Sequence, residues 1–235
     1  MTPFSNSIVL GASGGIGAAL AAAIEARGGK VARLARGRPD DHDALKVNYD
    51  EPASLAAAAE ALAPHAPYDT ILIATGLLHD DDWGPEKSWK MLAPDPLIRT
   101  FHVNVIGPML AARALLPLLP RDRPARFAML GARVGSISDN HLGGWYGYRA
   151  AKAALAQFAR TLSIELKRTH EQLVVAALHP GTVDTALSEP FQANVPEGQL
   201  FSPEKSANHL LDVLGALTPA DSGGHFDWAG KPIPA

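Results

Sequence analysis

Short β-branched and apolar runs alternate along this chain with longer alanine- and leucine-rich segments. That order belongs to βαβ units stacked into a parallel sheet. The runs predict strands over 7–10, 30–35, 70–75, 126–130, 173–178 and around 225–228. Helices are predicted over 16–26, 52–63, 96–119 and 146–168 from alanine content, a first-turn proline or an amphipathic pattern. The expectation is an α/β fold, a doubly wound parallel sheet with helices on both faces. Right-handed crossovers would gather the strand C-termini at one edge, where open sheets of this kind place ligands. Residues 36–45, 77–94 and 186–203, rich in Pro, Gly, Asp or Asn, read as loops, the last placed to act as a lid. With 235 residues, 47% of them hydrophobic, and no repeat, low-complexity tract or linker, a single domain over 1–235 is expected.

Several function classes are disfavoured at this stage. Net charge is −3 and the basic residues are scattered, so no nucleic-acid partner is expected. Zero cysteines leave no disulfide, thiol nucleophile or thiolate metal site, and the nine histidines show no ligand spacing. The N-terminus lacks a basic region followed by a long apolar one, and no apolar run approaches the ~18 residues of a membrane span. The reading is a cytoplasmic protein without a membrane partner.

The sharpest local feature is GASGGIG at 11–17, directly after the first apolar run. Gly11 to Gly15 also spells G-x-S-x-G, the nucleophile elbow of α/β-hydrolases, but such an elbow takes an oxyanion donor from an earlier loop. The twelve residues before Ser13 are occupied by the first strand. A P-loop would need a following Gly-Lys-Ser/Thr. What remains is a strand-turn-helix in which Gly11, Gly15 and Gly17 allow close backbone approach and the helix starting near Ile16 turns its N–H groups toward phosphate. A glycine-rich turn with no ligand stays open as the plain alternative.

With four further segments, ATG at 74–76, VNVIG at 103–107, YRAAK at 148–152 and HPGTVDT at 179–185, the chain resembles the short-chain dehydrogenase/reductases over nearly its whole length. The stretch ARVGSISDNHLGGWYGYRAAKAAL is similar to the C-factor-like and sniffer-type carbonyl reductase branch. The resemblance implies a Rossmann-like fold and hydride exchange between a nicotinamide cofactor and a carbonyl or alcohol. Tyr148 would be the general acid or base. Lys152, one helical turn on, would lower the pKa of its phenol and hold the nicotinamide ribose. Asn104, ahead of the helix-disturbing Gly107-Pro108, would bind a water linking the lysine to solvent. A buried asparagine satisfying that broken helix is equally compatible.

Two departures stand out. The family's substrate-binding serine would fall at Gly131-Ala132 if counted from the strand. Counted back from the tyrosine it would fall at Gly135-Ser136, so Ser136 is the substitute candidate, with Ser138 behind it, although hydroxyls in turns commonly cap backbone. Also, IATG at 73–76 replaces the usual Asn-Asn-Ala-Gly.

Further expectations concern the nucleotide. Ala35 stands near the position where NAD-selective sites carry an acidic residue, and Arg36 follows with a guanidinium suited to a 2′-phosphate. NADP(H) is therefore preferred, with NAD(H) possible. Ser13 could add a hydroxyl, Asn48 and Tyr49 match the adenine contacts, and Ala74, Thr75 and Gly76 match the segment that packs on the cofactor. Pro180, Gly181, Val183 and Thr185 match the turn that meets the nicotinamide carboxamide. Leu142, Trp145 and Phe191 could line a pocket for a small or medium carbonyl substrate. The family usually forms homodimers or homotetramers through two long helices, here 96–119 and 146–168. The competing reading is a nucleotide-binding sensor or signalling protein of this fold with little catalysis.

Overall fold

The computed structural model describes residues 3–37 and 44–235. Its main sheet is built from β1 (Asn6–Leu10), β2 (Lys30–Ala35), β3 (Ala44–Lys46), β4 (Thr70–Ile73), β5 (Ala125–Leu130), β6 (Leu173–His179) and, near the C-terminus, Gly224–Asp227. A two-stranded sheet pairs β7 (Thr182–Val183) with β8 (Leu200–Phe201), which makes Gly224–Asp227 β9. The seven main strands lie in the order β3-β2-β1-β4-β5-β6-β9, every pair parallel. The predicted doubly wound α/β architecture is what forms. Central strands such as β6, LVVAALH, are apolar on both sides because helices cover both faces.

One face packs under α1 (Gly15–Ala26) and α6 (Pro203–Ala216), where Val9, Leu72, Ala128 and Ala176 meet Leu20, Ile24 and Leu211. The other packs under α2 (Ala53–Leu62), α4 (Gly107–Leu115) and α5 (Tyr146–Leu166), where Ile8, Ile71, Phe127 and Val175 meet Leu55, Leu115 and Leu155. The chain reverses direction across the sheet at β1, whose neighbours are β2 and β4. A crevice opens beyond the strand ends at such a switch point.

Some boundaries differ from expectation. β3 falls at the end of the predicted 36–45 loop and pairs through Arg33 with Ala44, Leu34 with Leu45 and Ala35 with Lys46. Three residues are too few to display a period of two. The 186–203 segment is only partly irregular: Glu189–Asn194 is a 3₁₀ turn, and β8 fastens its far end to β7. The predicted helix over 96–119 begins at Pro94 and is composite. It runs as α3 (Pro94–Phe101), a π turn over His102–Ile106, α4, and a 3₁₀ turn over Leu116–Leu118. Pro108 cannot donate a backbone hydrogen bond into the preceding turn, and the turn there is the wide one.

That composite helix is a longer apolar stretch than the sequence reading expected. By length and composition alone Pro94–Leu118 is apolar enough to cross a bilayer, an 18-residue window within it having a mean hydropathy of 1.3. Here it contributes Ala111, Ala112 and Leu115 to the core.

Candidate active site

The first turn after β1 is held by its own packing. Gly11 has φ +89° and donates its N–H to the Leu34 carbonyl at 2.8 Å. A Cβ on Gly17 would stand 2.1 Å from the Gly11 carbonyl oxygen, and one on Gly15 would stand 2.7 Å from the Thr185 methyl. Side chains are excluded at both places by the protein itself. The N-cap of α1 is Gly14, with no side chain to occupy the first-turn N–H groups.

These N–H groups border a groove along the switch point. Gly11, Ser13 and Gly14 form one wall, Ala35 and Arg36 one end, Asn48 and Tyr49 another side, and Ala74, Thr75 and Gly76 the floor toward the sheet. Arg36 is exposed and pairs with no carboxylate among the described residues. The Asn48 side-chain oxygen accepts the Asp50 N–H at 3.1 Å, so it shapes a turn at the rim. Tyr49 is buried, its hydroxyl 3.0 Å from the Thr75 hydroxyl, and burial raises its pKa. Its ring fills the place where Gly107 lacks a side chain; a Cβ there would lie 2.1 Å from Tyr49 Cδ2. An elongated ligand with phosphate at its middle and an anionic group near Arg36 fits this cradle.

Beyond Gly76 the groove meets α5. Tyr148 and Lys152 share one face of that helix, with Lys152 Nζ 5.5 Å from the centre of the Tyr148 ring. The ammonium donates to the Leu130 carbonyl at 2.8 Å, and burial pulls its pKa down to about 8. The Tyr148 hydroxyl has no hydrogen-bond partner among the described residues, and burial pushes its pKa up. The expectation that the lysine lowers the tyrosine pKa is therefore not met in the chain alone, where desolvation dominates. Asn104, fully buried in the π turn, donates to the carbonyls of Leu77 at 2.8 Å and Thr100 at 2.9 Å and accepts the Leu77 N–H at 3.2 Å. Its amide thus satisfies the broken helix and clamps the segment after β4. A Cβ on Gly76 would lie 3.6 Å from Asn104 Oδ1 and 3.9 Å from Lys152 Nζ, so the three elements converge at that residue.

The substitute serines have structural duties. Ser136 is buried and its hydroxyl accepts the Asp139 N–H at 3.2 Å, while Ser138 bonds the Ala235 carbonyl through both N–H and hydroxyl. Ile16 packs partly against the α1–α6 core. In the strand-end turn Gly181 has φ +81° and the Pro180 carbonyl accepts Ser206 Oγ at 2.8 Å. Val183 is buried in β7, and Thr185 meets the glycine turn at Gly15. These residues lie beside the groove rather than along its lining.

Two of the expected pocket residues, Trp145 and Phe191, come together beside Tyr148, with neighbours that sequence reasoning missed. Trp145, at the N-cap of α5 with φ 52°, packs edge-on against Phe191 at 5.1 Å and Tyr148 at 6.3 Å, and His79 meets Phe191 at 5.7 Å. Leu142, by contrast, is almost wholly exposed, as is much of Trp89. Glu86, from the charged loop after β4, is buried against the start of α5. At the ends of β6 and β9, His179 and His225 sit near Arg133 and Asp227, and the Arg133–Asp227 pair closes at 2.9 Å. His79, Glu86 and the Arg133, His179, His225 and Asp227 group carried no local sequence signal. No group of three or more His, Cys, Asp or Glu suited to a metal occurs among the described residues.

Comparison with known proteins agrees with this geometry. A sequence profile described as short chain dehydrogenase matches residues 6–196. C-signal of Myxococcus xanthus is 37% identical over 138 residues, 59% of this chain and 78% of that protein. Some other curated relatives are matched over only about half of their length. Among solved structures, carbonyl reductase Sniffer of D. melanogaster superposes with a TM-score of 0.86 at 19% identity, covering 99% of this chain and 100% of that one. A short-chain dehydrogenase/reductase from Burkholderia multivorans with bound NADP has a TM-score of 0.81 at 26% identity, again covering 99% and 100%.

Proposed function

Because the chain belongs to the short-chain dehydrogenase family, we propose that it is an NADP(H)-dependent oxidoreductase acting on a small or medium carbonyl/alcohol pair. The observation that carries this reading is the Tyr148 hydroxyl, without a hydrogen-bond partner among the described residues and one helical turn from Lys152, whose ammonium lies by Gly76 at the groove. The bound NADP found in the Burkholderia multivorans neighbour supports the cofactor assignment, as does Arg36 at the groove end, which pairs with no carboxylate among the described residues.

When bound, the nicotinamide supplies or accepts the hydride. The chain's residues do the rest. Backbone N–H groups of the Gly14–Gly17 turn hold the pyrophosphate, and the Arg36 guanidinium takes the 2′-phosphate. Tyr148 donates its phenolic proton to the carbonyl oxygen during reduction and takes it back during oxidation. Lys152 stabilises the tyrosinate, and cationic charge near the phenol opposes the upward shift that burial imposes. Asn104 holds the backbone after Gly76 in place. Trp145 and Phe191 beside the phenol favour an apolar group on the substrate carbonyl. Exposed Ile98, Met109 and Ile164 on the long helices suit assembly into a homodimer or homotetramer.

Purified protein incubated with NADPH and a carbonyl panel should lose absorbance at 340 nm, and Tyr148→Phe should abolish the loss while still binding NADPH. A second reading, a nucleotide-binding signalling protein with little turnover, draws support from C-signal as a relative and from the missing serine. Tight NADPH binding without turnover on any carbonyl would favour it.

A further inference from the structure

Arg149 directly follows Tyr148 and spends its guanidinium on backbone carbonyls. Its Nε donates to Gly143 at 3.2 Å and to Gly144 at 3.0 Å, and a terminal nitrogen donates to Val134 at 3.2 Å. Val134 lies in the 3₁₀ turn Arg133–Gly135, near the start of the connection between β5 and α5, and the two glycines lie at its end. One side chain thus ties both ends of that connection to the first turn of α5. A planar group with several donors in fixed directions can do this, whereas an ammonium cannot reach all three.

The end that Arg149 holds is unfavourable backbone. Gly143, Gly144 and Trp145 have φ of 65°, 65° and 52°. Glycine enters this region freely, but a residue with a side chain does so at a cost and persists there only where its surroundings fix it. Trp145 is fixed from both sides: its N–H donates to the Glu86 carbonyl at 2.6 Å, and its carbonyl accepts the Arg149 N–H at 2.8 Å. The result is the direction of the indole, three residues before Tyr148, edge-on to that ring at 6.3 Å and to Phe191 at 5.1 Å.

We propose that Arg149 is a positioning residue for substrate selection. By holding the carbonyls of Gly143 and Gly144 it keeps Trp145 left-handed, and the indole so aimed is a fixed wall beside Tyr148 for a flat, unsaturated group on the substrate carbonyl. This rests on the oxidoreductase reading above. A ring held at one angle makes aromatic contact without first being ordered, and the gain is specific to a partner that is itself flat.

Benzaldehyde and cyclohexanecarbaldehyde, alike in size but flat and puckered, serve as probes. Arg149→Met should raise KM for benzaldehyde about tenfold and lower kcat less than threefold, the pattern of lost binding rather than lost chemistry. Its preference for benzaldehyde over cyclohexanecarbaldehyde should fall severalfold. Trp145→Gly, which removes the ring and accepts the same φ, should act alike, and adding Arg149→Met to it should change KM less than twofold. Arg149→Lys should fall between Arg149→Met and wild type; it carries the comparison if melting shows Arg149→Met unfolded. Near-ultraviolet circular dichroism gives a readout without substrate: Arg149→Met should lose the aromatic signal that Trp145→Gly loses, and the double variant should lose no more. Additive effects of the two substitutions, equal losses for both aldehydes, or wild-type reduction of other carbonyls but not benzaldehyde overturns the selection role. Absence of all turnover with NADPH bound removes the oxidoreductase reading and the selection role with it, whereas a wild-type dichroism spectrum in Arg149→Met overturns the hold on Trp145 itself.

Discussion

The carboxylate of Glu86 accepts the backbone N–H of Gly147 at 3.1 Å, which joins the loop after β4 to the first turn of the helix carrying Tyr148. α5 has no side-chain N-cap of its own: its N-cap is Trp145 in the left-handed region, and the Trp145 N–H donates to the Glu86 carbonyl at 2.6 Å. One residue thus serves two of the helix's free donors, and its charge lies at the positive end of the helix dipole. Glu86→Ala should cost about 1–2 kcal/mol in urea unfolding, as losses of helix caps do. It should also lower kcat, because Tyr148 directly follows Gly147. Glu86→Gln should lose less. Unchanged stability in Glu86→Ala would show that the contact contributes nothing.

Lys152 gives the nucleotide-free protein a stability that depends on alkaline pH. Its folded pKa of about 8 lies below the ordinary lysine value of 10.5, so burial works against the charged form. Between those values the unfolded chain holds a proton that the folded chain has released, and stability rises with pH. Below about pH 8 both states are protonated and the penalty is complete. Above about pH 10 the raised phenols of Tyr49 and Tyr148 oppose the trend, since the folded state then keeps protons the unfolded state loses. Urea denaturation at pH 7.5 and 9.5 should show the wild type gaining about 2 kcal/mol relative to Lys152→Met, from ~1.4 kcal/mol per pH unit for one full proton. Parallel pH profiles for the two proteins would mean that the ammonium is well solvated.

How far these relationships were legible depended on their range along the chain. The run at 173–178 reads as a buried strand because almost every residue is apolar, and Tyr148 and Lys152 read as neighbours because helix geometry places them one turn apart. Gly107-Pro108 announced an interruption, though not that it would take the form of a π turn around Asn104. Glu86 lies 61 residues from its partner Gly147, and nothing in the charged loop around it marks that contact. The approach of His225 to Gly131 similarly depends on three strands being neighbours, and β7 pairs with β8 across the whole segment between them. The sign of the Tyr148 shift depends on desolvation, which spacing does not reveal.

On the proposed reading, Arg36 decides between the two nucleotides. It is exposed at the groove end, beside Ala35 rather than an acidic side chain, and no described carboxylate competes for it. A guanidinium–phosphate bond contributes about 1.5–3 kcal/mol. Arg36→Ala should therefore raise the Kd for NADPH about 10- to 100-fold in calorimetry and change that for NADH less than about threefold. Equal weakening of both nucleotides would place the arginine on a part they share.

The glycine turn makes a graded prediction because its members are constrained by different neighbours. At Gly17 an added methyl meets a fixed backbone oxygen, the Gly11 carbonyl at 2.1 Å, which cannot move without dismantling the turn. Gly17→Ala should cost about 3 kcal/mol or more, at the upper end for overpacking. At Gly15 the obstacle is the Thr185 methyl at 2.7 Å. That side chain can shift, and alanine's helix preference of about 1 kcal/mol offsets part of the strain. Gly15→Ala should melt a few degrees below wild type and weaken NADPH binding if displaced Thr185 contacts the ligand. At Gly14 the nearest atom is 3.4 Å away and φ is −85°, a conformation alanine adopts freely. Gly14→Ala should lie within about 1 kcal/mol of wild type, the scale of exchanging a glycine N-cap for alanine. Thermal melts of the three variants should rank Gly14→Ala above Gly15→Ala above Gly17→Ala. A Gly17→Ala protein as stable as Gly14→Ala would mean that the carbonyl at Gly11 is free to turn away, and that the turn is not the rigid seat this geometry describes.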